Sequence, residues 1–371
     1  MKNTFGTSVA VTLFGESHGS AVGAVLDGMA PGVRVDADFI AHQLTLRRPC
    51  GAISTQRVEP DRFEIVSGVY EGRTTGTPLC IRIPNEDARS ADYAPQGILA
   101  RPGHADYTGY VKYHGFADPR GGGHFSGRVT AALTAVGAVA IAALRERGVV
   151  IGTHVARCGG VSDRDFSDSD LPGELAALNE LRFAVLDAAA GARMRDAIEA
   201  AAADGDSVGG ILETAVCGLP AGVGEPWFDT LEGLLAHALF SIPGVKGVDF
   251  GGGFDRVDAR GSAYNDPFYA ENGAVRTKTN HSGGVNGGVS NGMPLLFRCA
   301  VKPTSSIAKP QETVELQRMQ PAVLTLGGRH DPAFLHRARV VADSVTALAL
   351  CDALALRFGT DWLGGAPCAA D

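Results

Sequence analysis

The chain is poor in features that would tie it to a surface or to a secreted framework. Its seven cysteines, at 50, 80, 158, 217, 299, 351 and 368, never form a C-x-x-C step, which argues against a disulfide framework or a thiolate zinc site. A reducing, cytoplasmic setting and no metal are the expectation. The longest nearly apolar run, Ala131 to Leu144, falls short of the ~20 residues a bilayer crossing needs, so no membrane role is expected. The opening MKNTFGTSVAVTLFGESHG lacks the basic, apolar and small-residue succession of a signal peptide. Positive charge is also short, with 33 Lys and Arg against 41 Asp and Glu and a net charge of −8. That balance speaks against a general nucleic-acid binder, because counterion release needs clustered cations. Any anionic ligand must therefore meet a local basic pocket. No Gly/Ser or Pro linker divides the 371 residues, and 1–371 reads as one domain with an acidic, irregular surface excursion at 157–187.

Glycine, by contrast, is abundant. The 49 glycines concentrate in GESHG (15–19), RGGGHFSGR (120–128), FGGGF (250–254) and HSGGVNGGVSNG (281–292). A single cluster marks a tight turn as readily as a ligand loop. Several clusters interleaved with His, Arg, Ser and Asn suggest a shared surface where backbone N–H groups approach a ligand. Arginines at 47, 48, 57, 101, 120, 128 and 329 recur beside them, which suits bidentate recognition of phosphate and carboxylate.

Short apolar or alternating runs predict strands at 8–13, 22–27, 63–70, 78–83, 150–156, 210–217, 247–250 and 294–301. Helices are expected at 36–47, 127–147, 189–203, 228–239 and 332–357; the second and last are apolar enough to be buried layers. Strands and helices do not alternate as in a doubly wound fold. The expectation is α+β, with sheets packed around helices. SAVGAVLDGMAPGV (20–33) and SVGGILETAVCGLPAGV (207–223) echo one another, as two pseudo-symmetric halves would.

GESHG spells the G-x-S-x-G of a nucleophile elbow. Ser17 lies too early in the chain for that role, and its neighbour His18 cannot act as its base from a sharp turn. Acid–base chemistry on an anionic substrate fits better, with His18 and, in RPGHADYTGY, His104 as imidazoles in glycine-lined loops. In GGRHDP, Asp331 precedes the last long helix. It reads equally as a helix cap or as a carboxylate at a reaction centre.

These clusters recur as a set. GESHG, LRRP, TQRVEPDRFEIVSGVYEGRTTGTP, RPGHADYT, RGGG, GDSVGG, VKGVDFG, NGGVSNGMP, VKPTSSI and GGRHDP, in this order from about residue 4 to 357, resemble the chorismate synthase family. The resemblance implies a β-α-β sandwich and a homotetramer. It implies a shikimate-pathway lyase that converts 5-enolpyruvylshikimate 3-phosphate to chorismate by 1,4-anti elimination, using reduced FMN without net redox change. Electrons for the flavin would come from NADPH in bifunctional members or through a separate flavin reductase. Carried over by motif, His18 protonates the departing phosphate, His104 manages the flavin's proton, and Asp331 assists proton removal. Ser17 and Ser126 orient flavin and substrate. His124, Phe125, Gly244, Gly287, Lys302, Pro303, Thr304, Ser305, Ser306 and Arg329 fall at flavin-contact positions, and Arg47, Arg48 and Arg128 face substrate or nucleotide.

The chain departs from the family pattern in places. RGGGHFSGRVT stands where RGGGRSSARET is usual, so His124 replaces Arg, Phe125 replaces Ser and Val129 replaces Glu. The loop CGAIST after LRRP is one residue shorter and lacks a cation. Each lost charge-assisted contact costs ~1.5–3 kcal/mol of binding. A protonated His124 would restore part of it, with activity rising as pH falls. Two other readings follow from these changes: a divergent flavin-dependent lyase, or an idle FMN-binding paralogue. The second would have lost the proton handlers, which are all present.

Overall fold

LCIRIP alternates buried and half-buried positions and AVGAVLD is a short apolar run buried along most of its length, and the computed structural model pairs both with AVTLFG in one antiparallel sheet. The structure describes residues 2–49, 51–55, 60–86, 99–167, 169–327 and 330–364. The first sheet contains β1 (Thr4–Phe5), β2 (Ala10–Gly15), β3 (Ala21–Asp27), β4 (Glu64–Ser67) and β5 (Leu79–Pro84), in the order β1-β2-β3-β5-β4. The second contains β6 (Val150–Cys158), β7 (Val161–Ser162), β8 (Gly210–Cys217), β9 (Val245–Phe250) and β10 (Leu295–Val301), in the order β9-β10-β8-β6-β7. All of these pairings are antiparallel.

Between the sheets lies a helical layer. α1 (Ala37–Arg47) starts at Asp36, whose carboxylate accepts the Asp38 and Phe39 N–H groups. α2 (Asp106–Lys112) is a short helix at the site. α3 (Thr130–Glu146) packs on the first sheet and α7 (Leu335–Phe358) on the second, and the two pack on each other. The stretch Gly127–Glu146, which ends in α3, is apolar and long enough to cross a membrane by length and composition alone, yet 89% of its apolar window is buried inside the protein. α4 (Leu171–Leu178), α5 (Ala188–Ala203) and α6 (Leu231–Leu239) complete the helices used below. The α+β sandwich expected from the sequence is the observed architecture.

The two halves echo each other as the paired motifs predicted. β3 and β8 are each the middle strand of a five-stranded sheet, and each is followed directly by a glycine with positive φ, Gly28 at 78° and Gly218 at 81°. A methyl added at either would lie 1.8 Å from the Ser8 carbonyl oxygen or 2.0 Å from that of Gly148. Close approach of a neighbouring chain therefore requires glycine at both places.

Several local expectations need correction. The strand expected at 63–70 breaks at Gly68, whose φ of 83° turns Val69–Tyr70 into a separate hairpin with Arg73–Thr74. The region 157–187 is more than a loop: it carries α4, whose Leu171, Leu175 and Leu178 form a small core with Ala184 and Ala215 against the second sheet. α2 and the hairpins Phe268–Glu271/Ala274–Thr277 and Gln311–Glu315/Gln320–Leu324 had no expected counterpart. Their short runs lack the apolar periodicity that marks a core element.

Candidate active site

The glycine run of RGGGHFSGR brings the two histidines together. Gly121, Gly122 and Gly123 have φ of 59°, 95° and 54°, a path that residues with a Cβ rarely adopt. A methyl on Gly121 would lie 2.1 Å from His18 Cε1, and one on Gly122 would lie 3.0 Å from His104 Cε1. The bare backbone thus passes directly against both imidazoles. The Gly123 carbonyl holds the Ser17 N–H at 3.1 Å, which ties GESHG to the same loop.

Hydrogen bonds set the ring orientation of each histidine. Ser17 is fully buried and its hydroxyl donates to the Arg120 carbonyl, so its oxygen accepts from His18 Nδ1–H at 3.0 Å. A serine so placed is no exposed nucleophile, and the elbow reading fails. His104 Nδ1–H donates to Asp106 Oδ1 at 2.8 Å, and Asp106 also accepts from Arg101 Nε and Nη2, each at 2.7 Å. Burial works against the Asp106 charge, but the Arg101 and His104 hydrogen bonds outweigh it and hold the carboxyl well below its usual range. His124 Nδ1–H donates to the Gly15 carbonyl at 2.7 Å, and its ring lines the same cavity.

That cavity, about 620 Å³, opens between the two sheets' loops. Arg47, Arg101, Arg128, Lys246, Lys302 and Arg337 line it, against the carboxylates of Asp61 and Asp331. An acidic protein has gathered a cationic pocket. Arg47 is 2% exposed; it donates to Thr130 Oγ1 at 3.0 Å and the Gly127 carbonyl at 2.7 Å. Burial and then the neighbouring Arg337 lower its pKa to about 9. Arg128 donates to Asn85 Oδ1, the Pro84 carbonyl and Asp61. Arg48 lies 3.6 Å from Asp61 but does not line the cavity.

Asp331 is not a helix cap. α7 begins at Leu335, and the Asp331 carboxylate instead accepts the Thr55 N–H at 2.8 Å on Oδ1 and the Arg337 guanidinium on Oδ2. On the opposite wall, Lys302, Pro303, Thr304, Ser305 and Ser306 line the cavity with Gly244. Lys302 donates to the Gly103 carbonyl, while burial and the neighbouring Lys246 depress its pKa.

Most of the residues expected from the sequence are therefore together. His104, His124, Phe125, Ser126, Gly244, Lys302 to Ser306, Arg47, Arg128 and Asp331 all line the cavity, and Ser17 and His18 adjoin it through Gly121. Gly287 does not: it sits with φ of 61° in the Val285–Asn286/Val289–Ser290 hairpin, away from the cavity lining. Arg329 lies outside the described residues. Asp61, Arg337 and Lys246 were not singled out in the sequence. Only VEPDRF and VKGVDFG, already part of the motif set, hinted at two of them.

The chorismate synthase family model matches residues 9–355. The chain belongs to the chorismate synthase family. A chorismate synthase of Dehalococcoides mccartyi is 43% identical over 360 residues, covering 97% of this chain and 98% of that protein. One of Methanocella arvoryzae is 45% identical, covering 94% and 93%. A chorismate synthase crystal structure superposes with a TM-score of 0.76 at 27% identity, covering 95% of this chain and 94% of its own. The family match at 9–355 thus takes in every strand of the two sheets after β1, nearly all of the helical layer and the loops of the cavity.

Proposed function

We propose that this lyase removes phosphate from 5-enolpyruvylshikimate 3-phosphate to give chorismate, by 1,4-anti elimination. The observation that carries the reading is one cavity in which two oriented imidazoles and one doubly held carboxylate share space with an excess of cations. A substrate with two carboxylates and a phosphate needs that excess. Guanidinium groups held in place beforehand stabilise charge without reorganising during the reaction.

His18, whose Nδ1–H is donated to Ser17, protonates the departing phosphate from Nε2 as the imidazolium and is left as the neutral Nδ1–H ring. His104, whose Nδ1–H is donated to Asp106, has Nε2, beside Gly122, as the atom that takes up and returns a proton. Asp331 is the carboxylate that takes up a proton from the other side of the reaction. Arg47, Arg128 and Arg337 bind the anionic groups of the substrate, and Arg48 supports them through Asp61.

The Lys302–Ser306 wall fits a flavin phosphate. Thr304 Oγ1 is buried with no hydrogen-bond partner among the described residues, and Lys246 and Lys302 line the same wall closely enough for one to depress the other's pKa. Lys302, Thr304, Ser305 and Ser306 would hold FMN there, and Gly244, Ser126, His124 and Phe125 line the same cavity. Bound against these residues, reduced FMN would supply electron density for the elimination without being consumed. NADPH or a separate reductase provides the electrons, and the enzyme works as a cytoplasmic homotetramer, in which Gly287 reaches a flavin.

The test is anaerobic turnover of 5-enolpyruvylshikimate 3-phosphate with dithionite-reduced FMN, with oxidised FMN as the control. Chorismate formed only with reduced flavin is the expected result. Tight flavin binding without product would overturn the substrate assignment and point to a divergent lyase.

A further inference from the structure

The Asp331 carboxylate is gripped on both oxygens, and both grips trace to consecutive residues of α7. Arg337 donates directly to Oδ2. His336 acts one step removed. Its Nε2 shares a 2.7 Å hydrogen bond with Ser54 Oγ, and the next peptide along, Thr55 N–H, donates to Asp331 Oδ1 at 2.8 Å. The Ser54–Thr55 peptide cannot shift without moving that donor, because the peptide unit is rigid.

Everything around the Ser54–His336 pair is arranged to hold it still. His336 is fully buried and Ser54 is 6% exposed. Phe183, from the 157–187 region, lies against the His336 ring at 6.2 Å between centroids. α5 packs on the Gly51–Ile53 turn that leads into Ser54. Burial above all lowers the His336 pKa, to about 4, so the ring is neutral and adds no further cation beside Arg337 and Arg339. This loop, CGAIST, carries no charged side chain of its own.

We propose that Ser54 and His336 are positioning residues for the elimination: their hydrogen bond sets the loop so that Thr55 N–H orients the Asp331 carboxylate toward the proton it receives. The inference rests on the proposed role of Asp331. Neither residue touches substrate. Their effect lies in the placement of the carboxylate, where an error of about 1 Å costs up to ~100-fold in rate.

The experiment uses the full-length enzyme with reduced FMN and four proteins: wild type, Ser54→Ala, Ser54→Thr and Asp331→Asn. The readouts are kcat, KM, FMN affinity, and the isotope effect with substrate deuterated at the ring carbon that loses its proton. Ser54→Ala is expected to lower kcat roughly 10- to 100-fold, leave KM and FMN affinity within about twofold, and raise the isotope effect. Ser54→Thr, which keeps the hydroxyl, restores most of the rate. Wild-type kcat and isotope effect in Ser54→Ala overturn the proposal, as does a loss of kcat accompanied by equal losses in FMN affinity and melting temperature. A slow Asp331→Asn beside a normal Ser54→Ala removes only the positioning role. A fast Asp331→Asn removes the role of Asp331 itself, and this proposal with it.

Discussion

Asp61 and Arg128 form a salt bridge sealed from water, their side chains 1% and 4% exposed. Arg47 and Arg48 each stand 3.6 Å from the same carboxylate. One buried anion therefore offsets three guanidinium groups, and without it they would repel one another in a medium that screens poorly.

Asp61→Asn keeps the side-chain shape and tolerates the residue's φ of 50°. It removes the charge while the arginines stay. The expected cost is about 3–5 kcal/mol, the usual result of stripping one partner from a buried pair. Urea denaturation monitored by fluorescence reads it, and an unchanged midpoint would show that water or another anion already compensates the cluster.

Gly121→Ala tests the histidine geometry. The new methyl would start 2.1 Å from His18 Cε1 on a backbone with φ of 59°, so the ring must move. A displacement of this size predicts a fall in kcat of roughly 100-fold. Circular dichroism should stay close to wild type, because the site loop lies outside the helical core. Normal turnover would remove His18 from the chemistry.

Gly137→Ala tests the helical layer. At the α3–α7 crossing, a methyl on Gly137 would lie 2.4 Å from Ser344 Cβ and 2.8 Å from its Cα. The helices must separate, at a cost of about 1–3 kcal/mol for overpacking. A lower melting temperature checks this, whereas a rise from better helix propensity would mean that the crossing is loose.

His154 gives a pH dependence. It is 1% exposed, with Nδ1 at 2.9 Å from Asp163 and Nε2 at 2.9 Å from Glu213. Burial opposes its charge, but the hydrogen bonds to both carboxylates prevail and hold its pKa above the ordinary value. The stabilisation is therefore fully present below the unfolded pKa of ~6.5 and is lost as pH rises through the folded value. Asp163 also accepts the Leu186 and Asp187 N–H groups, so this loss loosens the 157–187 region first. Denaturant midpoints of wild type and His154→Gln, measured from about pH 6 upward, should converge as pH rises. A constant gap between the two would refute the assignment.

Much of this site was legible in the linear sequence because its parts are local. Glycines at 121, 122 and 123 announce a backbone that must approach something closely, and the imidazole at 104 sits beside its own Asp106 and Arg101 partners. The short apolar run of β3, the period-two alternation of β5 and the apolar length of α3 likewise mark sheets around buried helices. Asp331 was ambiguous for the opposite reason. Its decisive partner, Thr55, is 276 positions away in the chain, and local spacing could not distinguish a cap from a held carboxylate.

What the sequence determined by itself is the family, the α+β sandwich, the central helices and the set of residues whose chemistry suits an anionic substrate. Those follow from short-range periodicity and from motifs that keep their order along the chain. Only the tertiary structure decided which carboxylate answers which arginine, that Asp331 is held by Thr55 and Arg337, and that Gly287 lies apart from the cavity lining. The pairing of buried charges is a property of the folded core, where distant segments exclude water together, and no window along the chain contains it.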